Sequence, residues 1–572
     1  MTQNLIMSTM IIEELTRLGV SRFVISSGSR STPLTVAAAR KTEVETTIHF
    51  DERGAAYFAL GQAKASGKPS ALICTSGTAV ANYFPALIEA SMDNIPLIVL
   101  TADRPPELID VGANQAIFQE NIFGKYPRIS KNLPPPDDQL SFEQLLTDVD
   151  TIYDAATGSR PGPVHLNCQL REPLLPRDDP TINYPEKLSS WASSKLRYTK
   201  IPNLEKSDNN SVIETINGKN RESHHGLIVV GRAVNSKYDD TICEWAKSMN
   251  WPVFADVQSN LRFSTHPNII NRFDLALLRK TAQDLKPDVV IHLGGPITSK
   301  RLLNYLKDCD PFYISAKQTP ERVDPNHQVD LSLINSFDDF FNSVAAEAQN
   351  LDSSWLSSWQ VLEAETKNLI TSHIDLDSTL NEPGVSSCVS KLIGRQHSLM
   401  LANSMSIREM EMFAAESGFS GPIIVNRGAS GIDGLIATAA GHQSTVDQPM
   451  TLLIGDLAAL HDLNSFALLK NMRSALIIIL INNNGGGIFN FLPVSTKSDV
   501  FESYFGTPHG LNFSHLCAMF DLEYSNPDDM SKFKKTYLDA TQNNKSMIIE
   551  INTDRYENRE LHQQIFDSIS ES

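Results

Sequence analysis

The chain has 572 residues, a net charge of −18, 41% hydrophobic and 20% charged residues. That length exceeds a single core and points to about three domains, while the acidic balance argues against a nucleic-acid partner and no apolar run reaches the roughly 18 residues needed to span a bilayer. Six cysteines without CxxC spacing suit reduced thiols in a cytoplasmic protein. The opening MTQNLIMSTMIIEELTRLGV places acids among its apolar residues, as an amphipathic helix does and a signal peptide does not. Acidity also repels anionic substrates at long range, but charges screen beyond about 8 Å at physiological salt. Local arginine placement therefore counts for more than the total.

From Arg22 to Cys168 strand and helix patterns alternate, with candidate strands at Phe23–Ser26, Thr47–Phe50, Ala71–Cys74, Leu97–Thr101 and Val164–Asn167. This predicts a doubly wound, mainly parallel α/β domain, in which ligands bind beyond the carboxyl ends of the strands. Polar residues collect at those ends: Ser27 to Pro33, Asp51 to Gly54, Thr75 to Thr78 and Ala102 to Pro106. Arg30 lies in a Gly/Ser loop ahead of a Thr32-Pro33 helix start, where a guanidinium fork and free backbone N–H groups both favour carboxylates. For a lone arginine a surface salt bridge is the commoner fate. Glu52 precedes a helix expected from about Gly54, and an acid there either complements the helix dipole or does chemistry.

Around Arg171–Ser223, proline, charge and small polar residues dominate, so a long linker is expected. A second α/β domain follows, with strands near Gly226–Val230, Val253–Val257, Val289–Leu293 and Phe312–Ser315. The third carries Leu399–Ala402, Ile423–Asn426, Thr451–Ile454, Ala475–Ile481 and Met547–Ile551. The expected division is 1–180, 181–350 and 351–572. His224 and His225 sit in the polar lead-in to the second domain and read as solvent-exposed. His49, His442 and His461 read as satisfied core or supporting histidines. No GxGxxG follows a strand, so the dinucleotide fingerprint is absent.

The stretch Thr451–Leu492 reads as a βαβ unit, with a helix over Leu463–Met472 between two buried strands. Such a crossover makes the strands parallel, with both carboxyl ends on one edge. Asp456 follows the first strand, and Asn482-Asn483-Asn484-Gly485 follows the second. Parallel neighbours lie about 4.8 Å apart and Mg²⁺ takes oxygen ligands at about 2.1 Å, so one ion fits between a carboxylate and an amide oxygen. Gly485 to Gly487 let backbone approach a ligand closely. Taken singly, each half is also an ordinary turn; taken together they favour a metal and phosphate site. A diphosphate cofactor with a nitrogen heterocycle needs in addition an acid at its ring. Thiamine diphosphate is such a cofactor, and Glu52 is placed to protonate N1′ of its aminopyrimidine.

Gly455-Asp456, followed by Asn482-Asn483, resembles the thiamine-diphosphate motif of the decarboxylase and carboligase superfamily, whose third-position glycine is Leu457 here. Longer segments resemble one branch, the 2-succinyl-5-enolpyruvyl-6-hydroxy-3-cyclohexene-1-carboxylate synthases of menaquinone biosynthesis. They are GSRSTPL at Gly28–Leu34, DERG at Asp51–Gly54, TSGTAVANYFPALIEA at Thr75–Ala90, LTADRPPELIDVGANQAI at Leu100–Ile117 and NRGASGIDG at Asn426–Gly434. The middle domain offers mainly TSKRLL at Thr298–Leu303.

The resemblance implies the thiamine-diphosphate-binding fold, three doubly wound mainly parallel-sheet domains, and decarboxylation of 2-oxoglutarate. Conjugate addition of the resulting succinyl-semialdehyde carbanion equivalent to isochorismate follows. By the same resemblance Asp456, Asn483 and the carbonyl of Gly485 are metal ligands for Mg²⁺ or Mn²⁺. Gly455, Ile432, Ile488, Phe489 and Leu492 line the cofactor, and Glu52 activates it. The implied catalytic set is Glu52, Arg30, Gln115 and Arg408. Ser29, Arg30, Arg104, Asn114, Gln115, Lys300, Arg301, Ser404, Arg408 and Arg427 are implied for the polycarboxylate substrates. Also implied is a homodimer or homotetramer whose cofactor lies between the first domain of one subunit and the third of another. The alternatives are an acetolactate-synthase-type carboligase using other 2-oxoacids and a catalytically silent protein that keeps the cofactor site.

Overall fold

A computed structural model describes residues 3–137, 141–175, 188–199, 209–347, 352–374, 379–472 and 474–572. Its strands form three sheets in which every neighbouring pair is parallel, with helices in the crossovers. This is the α/β arrangement that alternating strand and helix patterns dictate.

The first sheet contains β1 (Arg22–Ser26), β2 (Glu45–Ile48), β3 (Ser70–Cys74), β4 (Leu97–Asp103), β5 (Ser130–Leu133) and β6 (Pro163–Gln169) in the order β2-β1-β3-β4-β6-β5. The second contains β7 (Gly226–Val230), β8 (Val253–Ala255), β9 (Val289–Leu293), β10 (Phe312–Lys317) and β11 (Leu331–Ile334) in the order β11-β10-β9-β7-β8. The third contains β12 (Ser398–Leu401), β13 (Ile423–Val425), β14 (Met450–Gly455), β15 (Leu476–Asn482), β16 (Glu523–Ser525) and β17 (Met547–Asn552) in the order β13-β12-β14-β15-β17-β16. The central strands are buried along their length, as β3, β4, β6, β7, β9 and β15 show. Both faces of a parallel sheet are covered by helices, which is why these strands read as unbroken apolar runs.

The sequence reading missed β5, β11 and β16. Each is the edge strand of its sheet and none is fully buried, so none carries a continuous apolar run. The helix expected over Leu463–Met472 is a second correction. The α-helical turn instead begins at Asp456 and runs to His461, followed by 3₁₀ structure over Leu463–Asn471. Glu52 itself opens the helix Glu52–Ser66, because Asp51 accepts from the N–H groups of Arg53 and Gly54 and caps it. Part of the expected linker, 176–187 and 200–208, lies outside the described residues, as do the boundaries at 180/181 and 350/351. Its remaining parts include the helices Ser189–Ser193 and Asn210–Glu222.

The chain divides into two compact units. One comprises Met1–Glu205, Asn426–Asp447 and Leu460–Ser474; the other comprises Lys206–Val425, Gln448–Ala459 and Ala475–Ser572. The first unit therefore holds the first sheet, and the second unit holds the other two. Within the first unit the helices Glu52–Ser66 and Leu435–Gln443 meet backbone to backbone. A Cβ on Gly61 would lie 2.1 Å from the Thr438 carbonyl oxygen, and one on Gly441 would lie 1.9 Å from that of Phe58. Alanine at a helix interior is intrinsically preferred over glycine by about 1 kcal/mol, but overpacking costs about 1–3 kcal/mol or more, and at 2.1 Å from backbone the clash wins. Gly61→Ala is therefore expected to lower the melting temperature; an unchanged or higher melting point would show that the two helices separate at no cost.

Candidate active site

In the first sheet the strand order reverses between β1 and β3, and that reversal is where open α/β sheets place ligands. The loops after the two strands touch, since a Cβ on Gly28 would lie 2.6 Å from Thr75 Cβ. Two arginines converge on this edge. Arg30 is 4% exposed, donates to the Leu170 carbonyl at 2.8 Å and pairs with Glu172 at 3.1 Å. Arg104 donates to the Asn114 carbonyl from Nε and Nη2 (3.1 and 2.8 Å) and to Ser76 Oγ from Nη1 (3.2 Å). Burial, and then the charge of Arg30, push the Arg104 guanidinium below its ordinary value. Two like charges held this close suit a ligand carrying carboxylates.

Asn114 thus serves Arg104 through its backbone, and its side chain is exposed, as are those of Ser29 and Gln115. Gln115 takes a left-handed φ of 56° and lies against Gly77. Glu52 is half-buried and accepts from Asn82 Nδ2 at 3.3 Å. The loop carrying Arg427 and Ile432 also belongs to this unit. Its backbone N–H groups at Gly428 and Ala429 donate to the buried Glu89 carboxylate at 2.7 and 2.6 Å, and Tyr57 donates to Asp433 at 2.7 Å. Ile432 is left 39% exposed at the tip of this tethered loop, and Arg427 is half-buried.

In the second unit, β14 and β15 pair with Gly455 opposite Ile481, so Asp456 and Asn482 leave the sheet side by side. Asp456 is 2% exposed; its Oδ2 accepts from the Gly485 N–H at 2.9 Å and from His509 Nε2 at 3.0 Å, and its Oδ1 accepts from the Leu457 N–H at 2.6 Å. Burial pushes the Asp456 carboxyl above its usual value despite these donors. Asn483 donates from Nδ2 to Glu382 at 3.0 Å, while its buried Oδ1 has no hydrogen-bond partner among the described residues. The Gly485 carbonyl accepts from the Gly487 N–H at 3.0 Å, which leaves its second lone pair. Only glycine fits at 485, where φ is +135° and a Cβ would lie 1.9 Å from the Gly506 carbonyl oxygen. A buried carboxylate, an orphaned amide oxygen and a carbonyl form an all-oxygen donor set suited to a hard divalent cation.

A cleft of about 470 Å³ in the same unit gathers residues scattered through the sequence. Lys300 and Arg301 line it together with Met405, Arg408, Ile488 and Leu492. Ser404, next to Met405, holds a φ of 68° and receives an Arg408 hydrogen bond at its carbonyl. The charges in the cleft are unequal in effect. Arg301 is ion-paired with Asp274 and stacks 4.6 Å over Phe566, whereas Lys300 is exposed. Burial, reinforced by Asp256, pushes the lining carboxyl of Glu411 well up. His562, also lining the cleft, is drawn down by burial, but Glu409 at 3.1 Å more than offsets this and raises it. Phe489 is not among the lining residues; its ring packs 5.5 Å from Phe505.

The histidines need correction. His224 is exposed, but His225 is half-buried, stacked 4.7 Å from Trp355 and 3.1 Å from Asp352. His49 and His442 are buried with one ring nitrogen unpartnered among the described residues. His461 is exposed and bonded to Arg53. Sequence reasoning missed Glu89, Glu382, Glu409, His509 and His562. Glu89 lies inside a quoted family segment and was legible as a candidate, whereas the others stand outside any motif.

Strand-end loops, in one unit with a carboxylate and two neighbouring arginines and in the other with an all-oxygen donor set on a glycine turn, suit a cofactor-dependent enzyme of the thiamine diphosphate type. Family models agree: residues 7–123 match "Thiamine pyrophosphate enzyme, N-terminal TPP binding domain" and residues 182–401 match "Middle domain of thiamine pyrophosphate". Curated proteins named 2-succinyl-5-enolpyruvyl-6-hydroxy-3-cyclohexene-1-carboxylate synthase align along nearly the whole chain. The protein of Salinibacter ruber is 38% identical over 98% of this chain and 95% of its own length. That of Chlorobium phaeobacteroides is 40% identical over 97% and 96%, and that of Rubrobacter xylanophilus 38% over 98% and 98%. The chain belongs to the 2-succinyl-5-enolpyruvyl-6-hydroxy-3-cyclohexene-1-carboxylate synthase family.

The glycine turn after β15 yields a direct expectation. Gly485→Ala adds a Cβ into the Gly506 carbonyl at a φ that L-residues resist, so the loop must move. Thiamine diphosphate affinity, measured by calorimetry with Mg²⁺ present, is expected to fall about tenfold or more, equivalent to about 1.4 kcal/mol. Parental affinity would exclude this turn from the site.

Proposed function

We propose that the chain is a thiamine-diphosphate- and Mg²⁺- or Mn²⁺-dependent carboligase. It decarboxylates 2-oxoglutarate and adds the resulting four-carbon unit to isochorismate, giving 2-succinyl-5-enolpyruvyl-6-hydroxy-3-cyclohexene-1-carboxylate. The observation that carries this reading is the cleft that brings Lys300 and Arg408 to Ile488 and Leu492, just beyond the Asn483–Gly485 turn. Cationic groups beside an apolar wall suit polycarboxylate substrates better than the small neutral side chains an acetolactate-synthase-type enzyme handles.

The cation is assigned to Asp456, Asn483 Oδ1 and the Gly485 carbonyl, whose donor chemistry fits it. When bound, the cofactor supplies the nucleophilic carbon and the electron sink for decarboxylation. Glu52 holds a proton at N1′ of the aminopyrimidine, and Ile432, Gly455, Ile488, Phe489 and Leu492 bound the cofactor's space. Arg30, Arg104, Arg408, Arg427 and Lys300 orient substrate carboxylates, and Ser29, Asn114, Gln115 and Ser404 supply neutral hydrogen bonds. We assign Arg301 a weaker part, because Asp274 already offsets its charge. Arg30 and Gln115 share the catalytic edge with Glu52. The active sites are assigned to the interface of a homodimer or homotetramer, with Glu52 and Asp456 of each site coming from different subunits. The three-domain division at 180 and 350 is retained as part of this proposal. No helix among the described residues is long and apolar enough to cross a membrane, all six cysteines are free, and we assign the protein to the cytoplasm.

The test is incubation with 2-oxoglutarate, isochorismate, thiamine diphosphate and Mg²⁺. The expected product mass is the sum of both substrates less carbon dioxide. Turnover of 2-oxoglutarate without that adduct would favour a different acceptor, and no turnover would favour a silent cofactor-binding protein. Glu52→Gln is expected to slow hydrogen exchange at C2 of the bound cofactor about 100-fold or more while leaving its affinity nearly unchanged. An undiminished exchange rate would take Glu52 out of that role.

A further inference from the structure

Asn483 has two chemically opposite ends, and which end meets a cation depends on what holds the other. Its Nδ2 donates to Glu382 Oε1 at 3.0 Å, and its Oδ1 is buried with no hydrogen-bond partner among the described residues. Glu382 is 3% exposed and opens the helix Glu382–Leu392, capped by Asn381. Oε1 accepts here, so this contact turns the amide nitrogen toward Glu382 and the amide oxygen away from it. Thr553 Oγ1 donates to the same Oε1 at 3.0 Å and holds that oxygen in place. From further along the chain, Glu409, itself tied to His562 at 3.1 Å, stands near enough to act on Glu382 electrostatically. Gly487 completes the arrangement, since a Cβ there would lie 2.7 Å from Asn483 Nδ2.

We propose that Glu382 is a positioning residue for the cation site: it accepts the Asn483 Nδ2–H and thereby turns Oδ1 toward the β14 edge where Asp456 stands. The inference rests on the reading of Asn483 as a cation ligand. Partners that orient a ligand are commonly worth about 10–100-fold in metal affinity. Here the required feature is an acceptor at one point in space, not a negative charge, and two substitutions separate these. Glu382→Gln keeps an acceptor oxygen at the same reach and removes the charge. Glu382→Asp keeps the charge and withdraws the acceptor by one methylene.

The experiment is a Mn²⁺ titration followed by electron paramagnetic resonance, on the full-length protein with saturating thiamine diphosphate. Glu382→Gln is expected to bind Mn²⁺ within about threefold of the parent, and Glu382→Asp about 10–100-fold more weakly, with turnover recovering at high metal. Retention by Glu382→Asp with loss in Glu382→Gln, loss in both, or no change in either overturns the proposal. Asn483→Ala is the control for the underlying reading. If it binds Mn²⁺ as the parent does, Asn483 is not a ligand. If it loses affinity while both Glu382 variants keep theirs, the positioning role alone fails.

Discussion

The direction of two neighbouring strands governs the proposed cation site. Because β14 and β15 run parallel, their carboxyl ends fall on one edge, and residues 26 positions apart in sequence, Asp456 and Asn482, leave the sheet together. An antiparallel pair would have put them at opposite ends of strands about 20 Å long. From that constraint the rest follows. The turn after β15 must double back beside Asp456 within three residues, which requires the glycine at 485. The polar ends of Asp456 and Asn483 are then buried, and buried polar atoms need partners. Gly485, Leu457 and His509 serve the first, and Glu382 serves one end of the second.

Buried carboxylates recur as loop organisers. Glu89 collects two backbone N–H groups of the Gly428–Ala429 turn, Asp462 collects those of Ile436 and Ala437, and Glu411 collects that of Val257. Burial raises all three carboxyls, so each donor recovers part of a desolvation cost that would otherwise disfavour the charged form. The loop that Glu89 fixes carries Arg427 and Ile432.

The net charge of −18 says little about either candidate site. Burial, and then the nearby charge of Arg30, depress Arg104, while the acidic surface is screened within about 8 Å. In the cleft, Asp274 offsets Arg301 and the Ser404 carbonyl engages Arg408, while Lys300 is exposed. Counting arginines in a motif therefore overstates the positive charge, because a motif does not reveal which guanidinium already has a partner.

Much of this was local enough to read in one dimension. Strands buried on both faces announce themselves as unbroken apolar runs, so the central strands, their parallel sense and the polar residues at their ends were legible, as were the glycine turn after β15 and the family segments. Edge strands such as Ser130–Leu133 and Glu523–Ser525 were not, because half-solvated strands carry no such run. The crossover after Asp456 also misled, since its apolar spacing fits a helix while the backbone tightens to 3₁₀ geometry. By itself the sequence determined the α/β class, the cofactor chemistry and the residues at the strand ends, all set by short-range pattern. Tertiary structure alone decided that Lys300 meets Arg408 across one cleft, that Asp274 offsets Arg301, and that Glu382 grips Asn483 from 101 positions away. Those pairings depend on which elements the fold stacks together, and no local periodicity encodes them.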